Sequence, residues 1–257
     1  MEDGLVSIIT SSYNSEHYIA RLIESVIAQT YTNWELLITD DCSTDNSRDV
    51  IMEYVNKDKR IKLFTQDKNV GAGITRNESI KHAKGRYIAF CDDDDWWLPE
   101  KLQVQLDYMA KNNVPVCYSS YYTCDEEANV TGIVVAFKRI SYRHMLLDDS
   151  IGFLTCMYDT KTIGKVYMPS LRRRQDWAYK IELLKRAKEA HGLLQPLAFY
   201  SIRKGSLSHN KFSLVKFNLR VYKEVLGYSA VRAWLVFLFA FFPCYVLKKL
   251  RLRIINM

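Results

Sequence analysis

Four consecutive aspartates, Asp92 to Asp95, follow the apolar run Tyr87-Ile88-Ala89-Phe90-Cys91 and precede Trp96, Trp97, Leu98 and Pro99. Like charges this close repel, so the run costs stability unless something positive binds it. A hard divalent cation held by carboxylate oxygens is the simplest neutraliser. A strand that ends in carboxylates would set that cation at the carboxyl edge of a sheet, where open α/β sheets bind their ligands. A solvated acidic turn is the plain alternative. The strand-like run on one side and the tryptophan pair on the other argue against it.

A second acidic pair, Asp40-Asp41, ends the apolar run Trp34–Thr39. In a doubly wound sheet both strand ends can face one crevice. One cluster can then hold a metal while the other accepts hydrogen bonds from a polar ligand group. Between them in sequence lies Asn69-Val70-Gly71-Ala72-Gly73, with Arg76 close behind. An arginine and glycine backbone can approach a diphosphate. The glycines alone would mark only a turn, and it is their coupling to two acidic strand ends that carries information.

The elements that must position these groups read as alternating strand and helix. Leu5–Thr10 is short, apolar and β-branched, as a buried strand should be. Ile19, Leu22, Ile23, Val26 and Ile27 recur at helical spacing, and Ser15 is a candidate cap before them. Strand Trp34–Thr39 leads through Ser43-Thr44-Asp45, which offer capping groups, to a helix carrying Val50, Ile51, Tyr54 and Val55. Ile61–Phe64 is a third strand. A helix ending near Gly85 precedes the strand Tyr87–Cys91, and Pro99 is placed at the N1 position of the next helix. This alternation predicts an α/β fold with a mostly parallel sheet and helices on both faces over residues 1 to about 118. Beyond it, strands are expected near Val116–Tyr121, Val130–Phe137 and Leu197–Ile202, with a helix over Asp176–Glu189.

At 257 residues the chain suits one large domain with an appendage. Its 48% hydrophobic and 25% charged content are ordinary globular values. The six cysteines show no Cys-x-x-Cys spacing, which argues against a zinc site and a disulfide framework. The start Met1-Glu2-Asp3-Gly4 lacks a basic segment and a long apolar run, so no signal peptide is expected and a reducing cytoplasm is the natural compartment. The net charge of +7 is concentrated at the end: Ser201–Met257 holds 11 of the 36 basic residues and, in Glu224, one of the 29 acidic ones. Within it, Ala233–Leu247 is uncharged over 15 residues, bounded by Arg232 and by Lys248, Lys249, Arg251 and Arg253. As a helix that run reaches about 22 Å, short of the roughly 30 Å of a bilayer core. It reads as an interfacial anchor on an anionic membrane surface rather than a nucleic-acid arm. A helix packed on the catalytic domain is the alternative.

Ordered motifs along the chain resemble those of the family 2, GT-A-fold inverting glycosyltransferases. Val6-Ser7-Ile8-Ile9-Thr10-Ser11-Ser12-Tyr13-Asn14 is similar to the family's opening, and Asp40-Asp41-Cys42-Ser43-Thr44-Asp45 to its Asp-Asp-Gly-Ser-Thr-Asp motif, with Cys42 where glycine is usual. Asn69–Asn77 resembles the Asn-x-Gly…Ala-Arg-Asn segment, Tyr87–Pro99 the strand bearing the Asp-x-Asp metal motif, and Arg174-Gln175-Asp176-Trp177 the segment that supplies the catalytic base. The resemblance implies a GT-A domain over residues 1–210, with a nucleotide-sugar part (1–118) and an acceptor part (119–210), followed by a basic amphipathic tail (211–257). It implies a UDP-sugar donor bound by Ser11, Tyr13, Asp41, Arg76, Asp93 and Asp95, with Asp95 facing the donor sugar. Asp92 and Asp94 would hold Mn²⁺ or Mg²⁺, and Asp93-x-Asp95 is an equally legal metal pair. Asp176 would be the general base, although an acid in a first helical turn is also favoured by the helix dipole alone. A membrane-seated enzyme of this kind implies a polyprenyl-diphosphate-linked sugar acceptor at the cytoplasmic face of the inner membrane, and glucose transfer in O-antigen-type assembly.

Secondary candidates remain open at this point. Trp177 could stack on an acceptor sugar or belong to the core. Arg172 to Arg174 could face acceptor phosphates or form a solvated turn. His209, in the loop Gly205–His209, could be a ligand or a cap. A sugar nucleotidyltransferase would want a glycine-rich phosphate loop after the first strand, where this chain has Ser11-Ser12-Tyr13-Asn14. A catalytically inactive membrane adaptor would not need the intact acidic set.

Overall fold

The computed structural model describes residues 1–202, 211–244 and 246. The Gly205–His209 loop with His209, and the basic flank Lys248, Lys249, Arg251 and Arg253, lie outside the described residues. In chain order the elements are β1 (Glu2–Ser12), α1 (Ile19–Ile27), β2 (Trp34–Asp40), α2 (Ser47–Lys57), β3 (Ile61–Thr65), α3 (Ala72–His82), β4 (Gly85–Phe90), β5 (Trp96–Trp97), α4 (Lys101–Asn112), β6 (Val116–Cys124), β7 (Val130–Val134), β8 (Arg139–Ser141), α5 (Tyr142–Met145), β9 (Met157–Asp159), α6 (Thr160–Ile163), α7 (Gln175–Ala187), β10 (Glu189–Ser201), α8 (Lys211–Arg220) and α9 (Ala230–Val236).

These strands form a ten-stranded sheet in the order β3-β2-β1-β4-β9-β6-β10-β5, with β7 added to β6 and β8 to β10. The first four run parallel. β9 lies antiparallel to both β4 and β6, and β10 returns parallel to β6. Every residue of β2 is buried, as expected for a parallel strand covered on both faces. Alternate residues of β1 serve two cores. Ile8 joins Leu22, Leu36 and Leu102 on one side, and Ile9 joins Leu37, Phe90 and Trp177 on the other.

Several local expectations shift. Pro99 lies before the N-cap Glu100 rather than at N1. Ser15 does not cap α1. Its carbonyl accepts from the backbone N–H of Tyr18 and Ile19 at 2.9 Å each, so a full turn precedes the helix. Asp45 does serve the start of α2, accepting from the Ser47 backbone N–H at 3.0 Å. α7 ends earlier than expected, because Lys188 adopts φ +73 and releases the chain into β10, which starts at Glu189 rather than near Leu197.

One face of the tail packs on the domain, as the alternative to an anchor expects. Ala233, Phe237 and Phe241 are buried, and the Phe241 ring lies 5.2 Å from Trp177, which is itself 5.6 Å from Tyr222. The opposite face stays bare: Val231 is 71% exposed and Phe239 76%, with Leu235, Leu238 and Phe242 about half exposed. Among the described residues no helix is long and apolar enough to cross a membrane.

Candidate active site

The carboxyl ends of β1, β2 and β4 meet at one edge of the sheet. The acidic run after β4 curls into a turn closed by the Asp95 backbone N–H donating to the Asp92 carbonyl at 3.0 Å. The turn sends its side chains in different directions. Asp92 takes a hydrogen bond from the Arg76 guanidinium of α3. Asp93 accepts from the Tyr13 backbone N–H at 3.1 Å, which ties the loop after β1 to the run. Asp95 turns inward, where it is 1% exposed, and its Oδ1 accepts from the Ser201 backbone N–H at 3.0 Å. Burial, with Asp94 and Asp92 close by, pushes its carboxyl well above the ordinary range. Behind the run, the Arg21 guanidinium lies 3.7 Å from the centre of the Trp96 ring and donates to the Asp94 carbonyl at 3.3 Å. Trp96 in turn stacks on Phe199 at 5.0 Å.

Asp41 is 3% exposed and accepts from two backbone N–H groups, Val70 and Gly71, at 2.8 Å each. It thereby fixes the loop that opens α3, whose Gly71 has φ +89. Asp40 instead braces its own turn, accepting from Ser43 N at 2.9 Å and Arg48 Nε at 2.6 Å. Cys42 keeps that turn in the left-handed region, φ +65, where a glycine would sit without strain. Tyr13 is 48% exposed and Ser11 8% at the rim.

Arg76 is 6% exposed over the Phe153 ring, and its Nε and Nη1 have no hydrogen-bond partner among the described residues. A buried guanidinium with unused donors is poised for an anion. Asp176 lies in the first turn of α7, near enough for the Arg76 charge to act on it, and α3 and α7 approach closely at their starts. A Cβ at Gly73 would stand 3.1 Å from Gln175 Cγ, so glycine lets the start of α3 touch the start of α7. Burial pushes the Asp176 carboxyl up, but Lys180, Arg174, the Trp177 backbone N–H and Arg76 outweigh it, so it lies below the ordinary carboxylate range.

Sequence reasoning missed the support of that carboxylate. Lys180 is 2% exposed and reaches Asp176 at 3.3 Å, Asp149 at 2.6 Å and the Ile151 carbonyl at 2.9 Å. Arg174, left-handed at φ +63, pairs with Asp149 at 3.6 Å. The signal for Lys180 was available: it is four residues from Asp176 and lies on the apolar stripe with Trp177, Ile181 and Leu184. Asp149, on a loop, gives none. Trp177 proves to be core, with no exposed surface and its Nε1 donating to the Met145 carbonyl at 2.8 Å, so it cannot stack on a sugar.

For a metal, the donors on offer are the hard carboxylate oxygens of the Asp92–Asp95 run at the sheet edge. Among the described residues no three His, Cys, Asp or Glu side chains converge into a cage. That donor set fits Mn²⁺ or Mg²⁺ held by one or two carboxylates with ligand phosphates completing the shell.

The sheet thus carries two acidic strand ends, a buried arginine with unused donors and, at the start of α7, a carboxylate held below the ordinary range. Residues 7–161 match the model of the glycosyl transferase family 2, and the chain belongs to that family. It is 37% identical over 222 residues to the putative teichuronic acid biosynthesis glycosyltransferase TuaG of Bacillus subtilis, covering 86% of this chain and 88% of that one. It is 39% identical over 217 residues to the UDP-Glc:alpha-D-GlcNAc-diphosphoundecaprenol beta-1,3-glucosyltransferase WfgD of Escherichia coli, covering 84% of each. The fold matches that of S. aureus TarS 1–349, solved with UDP-GlcNAc, at a TM-score of 0.71 and 22% identity over 89% of this chain and 69% of that one. The architecture is GT-A. The family assignment sets aside the nucleotidyltransferase alternative.

Proposed function

We propose that this protein transfers a hexose, glucose as first choice, from a UDP-sugar to a sugar borne on a polyprenyl diphosphate, with inversion, in assembly of a bacterial surface polysaccharide. The observation that carries this reading is the contact between α3 and α7. It brings the helix of Arg76, with two unused donor nitrogens, against the helix that opens with Asp176, whose carboxyl is held below the ordinary range. The relatives' acceptor and donor chemistry supports the choice of substrates.

In this reading Ser11, Tyr13 and Asp41 receive the uridine, and Arg76 turns its free donors to the diphosphate. Asp92 and Asp94 hold the divalent cation, while Asp93 and Asp95 shape the turn that presents them next to the donor sugar. The cation, when bound, offsets charge that builds on the leaving diphosphate. Asp176 takes the proton of the acceptor hydroxyl as it attacks the anomeric carbon from the face opposite the leaving group. No enzyme nucleophile is required, so the configuration inverts. Residues 1–118 serve the donor and 119–210 the acceptor. The bare face of α9 seats the chain on the cytoplasmic leaflet of the inner membrane. The test is a screen of UDP-sugars against a synthetic sugar-diphosphate-lipid with Mn²⁺. Glucose transfer giving a β-linked product supports the reading. Absence of transfer from any UDP-sugar overturns it.

A further inference from the structure

Between α8 and α9 lies a cavity of about 490 Å³ that the chemistry above does not use. Lys216, Arg220 and Lys223 supply its basic wall, and Leu219, Ala233 and Trp234 its apolar one. That size is within the usual range for small-ligand sites. Arg220 is spoken for, donating to Glu224 at 2.7 and 2.9 Å. Lys216 and Lys223 are exposed, and Glu224 is the only acid after Ser201, so the cavity is net positive. A positive cavity with an apolar wall suits a ligand that is anionic at one end and hydrocarbon at the other.

Its position fixes which ligand. On one side, Trp234 continues into the bare apolar face of Val231, Leu235, Leu238 and Phe239. On the other, Phe217 of α8 lies under the Arg173 guanidinium at 5.6 Å, and Arg173 belongs to the turn that delivers Asp176. The helix that lines the cationic groove thus touches both the apolar face and the turn that leads to Asp176, the proposed base. A prenyl-diphosphate sugar has its parts in the same order: hydrocarbon chain, two phosphates, sugar.

We infer that the α8–α9 groove binds the diphosphate and first isoprene units of the acceptor, with Lys216 and Lys223 on the phosphates and Trp234 on the chain. This rests on the lipid-linked acceptor proposed above and assigns its subsite. Two lysines lining one groove suit a diphosphate better than the single phosphate of a bilayer lipid, whose headgroup stays in the membrane plane.

The test uses the full chain in detergent and farnesyl diphosphate as probe, with calorimetry as the readout. The double substitution Lys216→Gln/Lys223→Gln should weaken farnesyl diphosphate binding at least tenfold, and Trp234→Ala at least threefold, with UDP affinity and thermal unfolding unchanged. Inorganic pyrophosphate and farnesol, each carrying half the ligand, should bind the native chain at least tenfold more weakly than farnesyl diphosphate. Partition onto phosphatidylglycerol vesicles should change less than threefold in the double variant. Unaltered farnesyl diphosphate affinity would overturn the assignment. So would an equal loss on the vesicles, which would give the lysines to the membrane surface. Intact prenyl-diphosphate binding without sugar transfer would instead reject the proposed reaction and leave the groove standing.

Discussion

Lys180 stands one helical turn after Asp176 and reaches its carboxylate at 3.3 Å from a position that is only 2% exposed. The same ammonium holds Asp149 at 2.6 Å. The two carboxylates are driven apart: burial leaves Asp149 above the ordinary range, while Asp176 falls below it. One cation thus favours the charged form of the more exposed acid and holds its carboxylate in place.

Lys180→Met should raise the Asp176 pKa and carry the acid limb of kcat/KM upward by at least one pH unit. The sign follows from the depressed native value. Asp176 stabilises the fold above the unfolded carboxylate range, and that contribution is lost as pH falls through the lower native pKa. Without the lysine that contribution shrinks, and two part-buried acids are left with Arg174 as their nearest remaining cation, so stability should fall. A pH–rate profile and an unfolding titration measure both effects. An unmoved acid limb would show that Lys180 only fills space.

Asp176→Asn keeps the shape of the side chain but cannot accept the proton. Turnover should fall by a factor on the order of 10²–10⁴, with little change in UDP affinity. Calorimetry with UDP and the anomeric coupling of the product by NMR check this, and near-normal turnover or an α-linked product rejects the base and the inversion together.

Asp94→Ala should fold normally, because its neighbours Asp92 and Asp93 keep the turn attached to Arg76 and Tyr13. Activity restored by Mn²⁺ in the native chain should be lost in the variant. Full activity of either protein in excess EDTA would dismiss the metal.

Cys42→Gly relieves a left-handed cysteine at φ +65. The expected gain is about 1 kcal/mol, or roughly 2–4 °C in Tm for a chain of this size. A lowered Tm would show that the thiol contact to the Asp67 carbonyl at 3.8 Å matters more than the backbone strain.

Replacing Leu235, Leu238 and Phe239 together by serine should move the protein from membrane to soluble fractions without unfolding it, since all three are about half exposed or more. Cutting the chain at Ala230 is a harsher change. It uncovers Trp177 and Tyr222, against which Phe237 and Phe241 pack, so Tm should fall with truncation but hold in the triple variant. Unchanged partition of the triple variant counts against the anchor.

The first half of the fold was legible because buried parallel strands are unbroken apolar runs, and the acidic ends of the strands before α2 and β5 announce the ligand edge. The second half was not. β9 is three residues long and antiparallel to both neighbours, and β10 carries Gly192 and Pro196 with register shifts on either side of Pro196. Such a strand has no clean period. The role of Asp41 in bracing the Val70–Gly71 loop, and of Asp149 beneath Lys180, depends on chain segments far apart in sequence. No local pattern carries that information.

In the proposed mechanism, the Arg76–Asp92 ion pair would set an order of events. With the site unfilled, the acidic run already owns a counter-ion, so a bare cation competes with a tethered guanidinium for Asp92 and gains little. A cation arriving with a nucleotide diphosphate meets no such contest. There the phosphates would offer Arg76 a new partner while Asp92 would be left to the cation, so the two exchanges would be linked. Loading would therefore be cooperative. Metal and nucleotide should each strengthen the other's hold, and departure of the spent nucleotide should return the arginine to its aspartate and eject the ion, resetting the enzyme for the next turnover.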